Sequence, residues 1–442
     1  MPAAIAYVVW AMLAMLAAVA VLCRRWDIRR RRILLALVAA ASVVAFGVVS
    51  WGRATPFGDF NKAYYPAGVA VVSDPSRLYE CQISNACFVN IPIVAALFAP
   101  FGWLDLFTAQ VLFTMAGAGA VIVAAYLLTA LADGSPQGRY AVIAMFALNG
   151  PLLYSARLGN LTHVMLPFLV LAVVALVRGR QLQGGALLAF LATIKPPLLL
   201  FVPYLLARGQ WRAAVGFSAA LAMIAAMSLT WFGAELHSVW LEEIGQPFSD
   251  RPLGAYNVQS VAGALAHLLH PGNLTNFEPL EVSPKFKVVQ YAVTGLLATT
   301  AGLVALLSGR PQSDAARWFE LNMVLVLTLL ASPLTWTHYY AFCLIPLSGY
   351  AMTERSIHGW WHPTIAVAAV LVSLPVVLAL PTLPALQAVV ERVLISHYVA
   401  GAIVLLGALC ASRWQARQLH SAHAALGVRP PAPMDRVGDG RI

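Results

Sequence analysis

Apolar residues run along this chain in long blocks separated by short polar segments, rather than alternating with polar positions at a helical or strand period. A hydrocarbon core about 30 Å thick needs about 20 apolar residues per spanning helix, so each block predicts one membrane crossing. Blocks lie at about 3–22, 33–51, 106–132, 140–156, 161–177, 213–232, 286–307, 318–331, 340–353, 363–381 and 398–412. The stretch 184–207 is interrupted by Lys195-Pro196-Pro197. Two prolines break helix hydrogen bonding there, which predicts a pair of half-length helices joined at Lys195. With this pair and a short helix at about 258–269, the pattern predicts an all-α polytopic membrane protein with about 11–13 transmembrane or half-membrane helices. The first block, from Pro2 to Leu22, lacks a basic leader and is long enough to span, so it reads as an uncleaved helix.

Composition agrees with this pattern: 60% of the 442 residues are hydrophobic and 10% are charged. A soluble domain carries about a quarter charged residues, so a water-soluble globular protein is excluded. The formal net charge of +10 comes from clustered arginines between apolar blocks, which argues for topology determinants instead of nucleic-acid binding. Arg-rich short loops stay cytoplasmic. With RRWDIRRRR (Arg24 to Arg32) inside, the segment 52–90 falls in the periplasm, and the clusters at Arg178/Arg180, Arg208/Arg212 and Arg310/Arg317 return inside. A single span over 184–207 would place Arg208 and Arg212 outside, a second reason for the broken pair. The sequence from Arg413 reads as a disordered cytoplasmic tail. Lys is scarce, four residues against 24 Arg, and Ala is abundant, which fits a bacterial inner (cytoplasmic) membrane protein.

The orientation collects unusual polar groups on the periplasmic side: Asp59, Arg157, Asn160, Lys195, Asn257, Gln259 and His338. Charged groups at membrane depth are expensive and usually functional, so their convergence suggests a water-accessible site. Asp59, in PFGDFNKAYYPAG, is placed to take a proton from a hydroxyl, or else to cap a helix or pair with Lys62. Tyr64 of the same segment joins the substrate-binding candidates. Lys195 is suited to neutralise a phosphate beside the backbone N–H groups of the next half-helix, or else is an ion-paired or snorkelling lysine. Arg157 and Asn160 in SARLGNLTH offer anion and sugar-hydroxyl contacts, and His163 reads as a packed histidine. Asn257 and Gln259 in YNVQS carry amides of the kind that recognise sugars. His338 in SPLTWTHYY can donate to a phosphate oxygen or orient a hydroxyl, while its aromatic neighbours suit an interface belt. Asp74 before Pro75 reads as turn chemistry, and Asp105 as the cap of the helix that follows.

Other chemistries lack their residues. There is no P-loop or GxGxxG, no HExxH, no GxSxG and no DxD pair. Neither a metal nor another cofactor is expected. Cys81 and Cys87 share the periplasmic loop, where they are either a small disulfide or two free thiols.

Taken together, GDFNKAYYPAG (58–68), IPIVAALFAPFGWL (91–104), LATIKPPLLL (191–200), YNVQS (256–260) and SPLTWTHYY (332–340) resemble glycosyltransferase family 87, a branch of the GT-C membrane glycosyltransferases, over roughly residues 33–400. The resemblance implies a GT-C-type fold: an extra N-terminal helix and basic loop (1–32), a membrane domain (33–412) with a periplasmic catalytic loop at 52–90, and a tail (413–442). It implies a polyprenyl-phosphate sugar as donor, mannose or arabinofuranose-like, and a glycolipid or glycan as acceptor, with membrane lipids around and no nucleic acid. Asp59 would be the general base of an inverting transfer, His338 would stand near the donor phosphate or acceptor, and Lys195 would be a cation on the phosphate side. IPIV stands where many relatives show a Tyr-Pro-Pro-type run, which bears on acceptor shape. The competing expectation is a transporter or flippase of lipid-linked glycans, which also needs broken helices and a cationic cavity, but no internal repeat is visible.

Overall fold

The computed structural model describes residues 33–34, 37–38, 41, 56–80, 88–131, 136–272, 274–352, 361–375 and 383–425. The expected first helix, most of the second, Cys81 and Cys87, and the chain beyond Ala425 lie outside the described residues.

The main helices are α1 (Tyr65–Ser73), α2 (Pro92–Gly102), α3 (Leu106–Ala130), α4 (Pro136–Leu148), α5 (Gly150–Leu158), α6 (Thr162–Val177), α7 (Gln181–Ile194) and α8 (Pro196–Ala207). They continue with α9 (Trp211–Trp240), α10 (Val261–Leu269), α11 (Pro284–Leu307), α12 (Asp314–Ala331), α13 (Leu344–Met352), α14 (Trp361–Ser373), α15 (Pro384–Arg392) and α16 (His397–Ala425). Among the described residues, the stretches containing α3, α9, α11 and α16 are long and apolar enough to cross a bilayer, and the bent pair α4–α5 makes a fifth. Shorter apolar helices, α2, α6, α7, α8 and part of α14, fill the space between them. The protein is an all-α polytopic membrane protein.

Burial separates core from lipid-facing helices. α12 is buried at every position from Phe319 to Leu330, Glu320 and Asn322 included, so it sits at the centre. α3 and α11 instead expose Met115, Ile122, Leu296 and Leu303, the apolar outer surface a bilayer requires. α7 and α9 approach until a Cβ on Gly185 would stand 2.0 Å from the Ala213 carbonyl oxygen, so glycine there permits the backbone contact.

Side-chain bonds show which helix ends lie together. Arg317 donates to the Val177 carbonyl at 2.9 Å, and Arg208 and Arg413 both bond Glu320 and the Gly309 carbonyl. The ends of α6, α8 and α11 and the start of α12 therefore share one basic end. α7 leaves that end and α8 returns to it, the broken pair expected at Lys195. The segments Asn160–Thr162, Ile194–Pro196 and Ser332–Thr337 consequently gather at the other end.

Three expectations are corrected. The tail expected from Arg413 is helical as far as Ala425, because Glu320 inside α12 draws Arg413 into the core, where its Nε donates to Glu320 Oε1 at 2.7 Å. The block expected to end at about 232 runs on, since Gly233 (φ 70, ψ 164) only breaks α9 before it resumes to Trp240. The single helix expected over 140–156 bends by 49° between α4 and α5. There the Asn149 side chain accepts from the Leu152 N–H at 2.8 Å and Pro151 restarts the helix. Asp105 caps α3 by accepting from the Thr108 N–H at 3.0 Å, and Asp74 closes its turn onto Ser76.

Candidate active site

Two tight turns bring Asp59 to Asn160. Asp59 immediately precedes a π-turn, Phe60–Tyr64, that runs into α1. Phe57 just before it lies in the left-handed region (φ 64), a costly conformation for a bulky residue, and its N–H donates to the Arg157 carbonyl at 2.8 Å. α5 ends at Gly159 (φ 66), where a Cβ would fall 2.6 Å from Phe60 Cβ. Glycine alone lets this turn lie on the π-turn.

Asn160 Nδ2 donates to Asp59 Oδ2 at 2.6 Å and to the Tyr64 hydroxyl at 3.3 Å. Its Oδ1 accepts from the Thr162 N–H (3.0 Å) and hydroxyl (2.9 Å), which fixes the amide so that its N–H group faces the carboxylate. Tyr64 is stacked on Phe98 of α2 with ring centroids 4.5 Å apart. The Asp59 side chain makes no capping bond to the helix that follows, and Lys62 is exposed. Asp59 lies in the segment before α1, outside the spanning helices. Burial holds its carboxyl above the usual aspartate range, and the Asn160 hydrogen bond and the Lys195 charge pull it down.

Lys195 terminates α7 with a non-helical backbone (φ −129, ψ 86) and is 4% exposed. Its ammonium lies 4.1 Å from the centroid of the Tyr339 ring, a cation–π contact. Tyr339 in turn contacts the imidazole of His338, with centroids 5.0 Å apart. His338 is itself 4% exposed, and among the described residues neither Nδ1 nor Nε2 has a hydrogen-bond partner. Buried polar groups without partners are uncommon, because each loses its hydration without compensation.

A short antiparallel pairing carries His338 to this place. Val258 bridges Trp336, Gln259 donates its N–H to the Thr335 carbonyl at 2.6 Å, and Thr337 donates its N–H to the Asn257 carbonyl at 2.7 Å. The Gln259 side-chain amide donates to the Tyr256 and Ile395 carbonyls (2.9 and 2.8 Å), so it holds the loop together. Asn257 Oδ1 is buried without a partner. Arg157 is half-buried in the last turn of α5, where its carbonyl anchors Phe57. His163 is a packed histidine whose Nδ1 meets the Ser155 hydroxyl at 3.0 Å.

The structure thus joins Asp59, Tyr64 and Asn160 by hydrogen bonds, sets Lys195 and His338 each against the Tyr339 ring, and puts Asn257 and Gln259 in the strand-like support of His338. It adds Tyr339 itself, which an interface-belt reading absorbs, and Tyr154 with Tyr256, whose hydroxyls are 3.4 Å apart. Among the described residues no three His, Cys, Asp or Glu side chains are grouped to hold a metal ion. The arrangement offers a carboxylate, a cation and an idle imidazole in one enclosed region, the components of proton abstraction beside an anion.

The model for glycosyltransferase family 87 matches residues 88–333, more than half of the chain and less than the 33–400 over which the motifs resemble it. The match includes Arg157, Asn160, Lys195, Asn257 and Gln259, while Asp59, Tyr64 and His338 lie beyond its ends. No curated protein matches the chain.

Proposed function

The chain belongs to glycosyltransferase family 87, and from that premise we propose that it moves a sugar from a polyprenyl-phosphate donor to a hydroxyl of a lipid or glycan acceptor at the periplasmic face of a bacterial inner membrane. Asp59 accepts the proton of the acceptor hydroxyl, whose oxygen attacks the anomeric carbon opposite the phosphate. The bond from that carbon to the phosphate oxygen breaks, configuration inverts, and the electron pair leaves with polyprenyl phosphate. Lys195 offsets the charge on that phosphate, and His338 donates to one of its oxygens with a nitrogen that has no partner among the described residues. Asn257, with its idle Oδ1, and the Tyr154–Tyr256 pair face sugar hydroxyls. Arg157 is a further anion contact. The sugar is mannose or arabinofuranose-like, and the reaction needs no metal ion. The periplasmic assignment is supported by the arginines gathered at the opposite end, which the positive-inside rule keeps in the cytoplasm. Membership of a glycosyltransferase family sets aside the transporter alternative.

The observation that carries this reading is the Asp59 carboxylate, which leaves its own helix uncapped and is held at 2.6 Å by Asn160 in the region of Lys195 and His338. The test is transfer by the purified full-length protein in nanodiscs, with a panel of radiolabelled polyprenyl-phosphate sugars, host lipid extract and EDTA. Product from the wild type and none from Asp59→Asn is expected. Equal product from both removes Asp59 as the base, and product abolished by EDTA removes the metal-free reading.

A further inference from the structure

At the end of the bundle opposite Asp59, the loop from α11 into α12, the first turn of α12 and the middle of α16 line a cavity of about 300 Å³. Arg310, Arg413 and Arg417 line it together with Ser308, Gln312 and Ser313. Its charges do not cancel. Glu320 is shared by Arg208 and Arg413, and Asp314 pairs with Arg317 at 2.8 Å. Among the described residues, neither Arg310 nor Arg417 has a carboxylate in salt-bridge range. Arg417 bonds the Leu307 carbonyl and stacks over Trp414 at 5.1 Å, which holds its guanidinium at the rim.

Ser308 gives an independent sign of a ligand. It is 5% exposed and lines the cavity, yet its hydroxyl has no hydrogen-bond partner. A hydroxyl donor beside surplus guanidinium groups is complementary to a tetrahedral oxyanion, which accepts several charge-assisted bonds at once. The end of α11 beside the cavity is apolar: Leu303, Leu306 and Leu307, just before Ser308, are 50%, 61% and 60% exposed. Acyl chains fit along that strip while a headgroup sits among the arginines, as basic pockets between membrane helices bind phosphate headgroups.

We infer that this cavity is a phosphate-binding site, separate from the transfer site, whose ligand is the headgroup of an anionic phospholipid. Arg413 belongs both to the cavity and to the Glu320 network, so an occupied site ties α11, α12 and α16 together.

Thermal unfolding of the full-length protein distinguishes the sources of the phosphate. One arm compares phosphatidylcholine nanodiscs with nanodiscs containing phosphatidylglycerol; the other titrates inorganic phosphate against chloride at matched ionic strength in detergent. A bound ligand raises the midpoint by mass action, by several degrees when it saturates. A rise with phosphatidylglycerol alone assigns the site to lipid. A rise with inorganic phosphate as well shows that the headgroup phosphate suffices. A rise with inorganic phosphate alone keeps a phosphate site but overturns the lipid as its ligand. The double variant Arg310→Gln/Arg417→Gln, both exposed side chains, is expected to lose the rise. Ser308→Ala leaves the charge unchanged and is expected to need severalfold more ligand for half the effect. No rise in either arm, a rise retained in the double variant, or a Ser308→Ala response equal to wild type overturns the site and leaves only diffuse screening.

Discussion

Glu320 and Asp59 are both carboxylates enclosed near the ends of the helix bundle, and their surroundings differ in kind. Glu320 accepts from four donors: Tyr204 at 3.1 Å, two N–H groups of Arg208 at 3.0 and 2.8 Å, and Arg413 at 2.7 Å. Tyr204 and Arg208 stand at the end of α8 and Arg413 on α16, so the acid knits α8, α12 and α16. Among the described residues, Asp59 accepts a side-chain hydrogen bond from Asn160 alone, while Lys195 rests on a ring face and neither ring nitrogen of His338 is hydrogen-bonded. In a low-dielectric interior both arrangements are costly to assemble. The first is complete, and so is structural. The second is incomplete, and the missing partners have the chemistry of a hydroxyl and an anion. Unfinished hydrogen bonding around a charge, more than the charge itself, marks the candidate site.

Exchanging each acid for its amide breaks or sharpens this contrast most strongly. Asp59→Asn is expected to lower single-turnover transfer by about 10²–10⁴-fold, the range for loss of a general base, with the unfolding midpoint nearly unchanged. Glu320→Gln is expected to do the reverse. It strands two arginines that are 7% and 2% exposed at their side chains, at a cost of about 3–5 kcal/mol in unfolding free energy, while turnover per folded molecule is kept. A Glu320→Gln protein as stable as wild type, measured by denaturant unfolding in detergent, would dissolve the distinction.

Lys195→Met comes next. Removing the proposed stabiliser of the departing phosphate is expected to lower transfer by about 10²-fold, with donor titrations affected more than acceptor titrations. Stability should hold or rise, because the substitution replaces a buried cation by an apolar chain of similar length. Reduced stability with unchanged donor use would make Lys195 a structural residue like Arg208.

The two ends were unequally legible in the sequence. Asp59, Asn160, Lys195 and His338 each stand beside a helix breaker or in a polar interruption of an apolar block, and such residues have few structural explanations. The Pro196-Pro197 pair gave the re-entrant geometry directly. The basic end was hidden because Glu320 falls inside an apolar block, near its start, and Arg413 follows one and looks like the start of a tail. The available signal was Glu320 itself, since an intramembrane acid needs a named partner. Gln259 shows the opposite limit. Its residue type suits sugar recognition, yet its amide donates to two backbone carbonyls, a fact that depends on a loop closing over many residues. Likewise Asn149-Gly150-Pro151 carried enough turn chemistry to announce the α4–α5 bend, but an apolar block on either side masked it.

The smallest effect expected is the most diagnostic of how Asp59 is tuned. Burial raises its carboxyl, and the Asn160 hydrogen bond is the larger of the two influences that lower it. Asn160→Ala therefore raises the carboxyl further, so less of the base is ionised at a given pH and the acid limb of kcat/KM moves to higher pH. Transfer at neutral pH falls, and part of it returns as the pH is raised beyond the shifted limb. Stability follows the same sign. The bond to the ionised carboxylate contributes above the pH at which Asp59 ionises and is lost as the pH falls through it, so the stability gap between wild type and Asn160→Ala closes in acid. A charge-assisted hydrogen bond of this kind is worth about 1.5–3 kcal/mol. A loss of transfer that is uniform in pH, read from paired pH–rate profiles, would mean that Asn160 only shapes the α5–α6 turn. Asp59 would then be held by burial and Lys195 alone, and its resemblance to the fully bonded Glu320 would be weaker still.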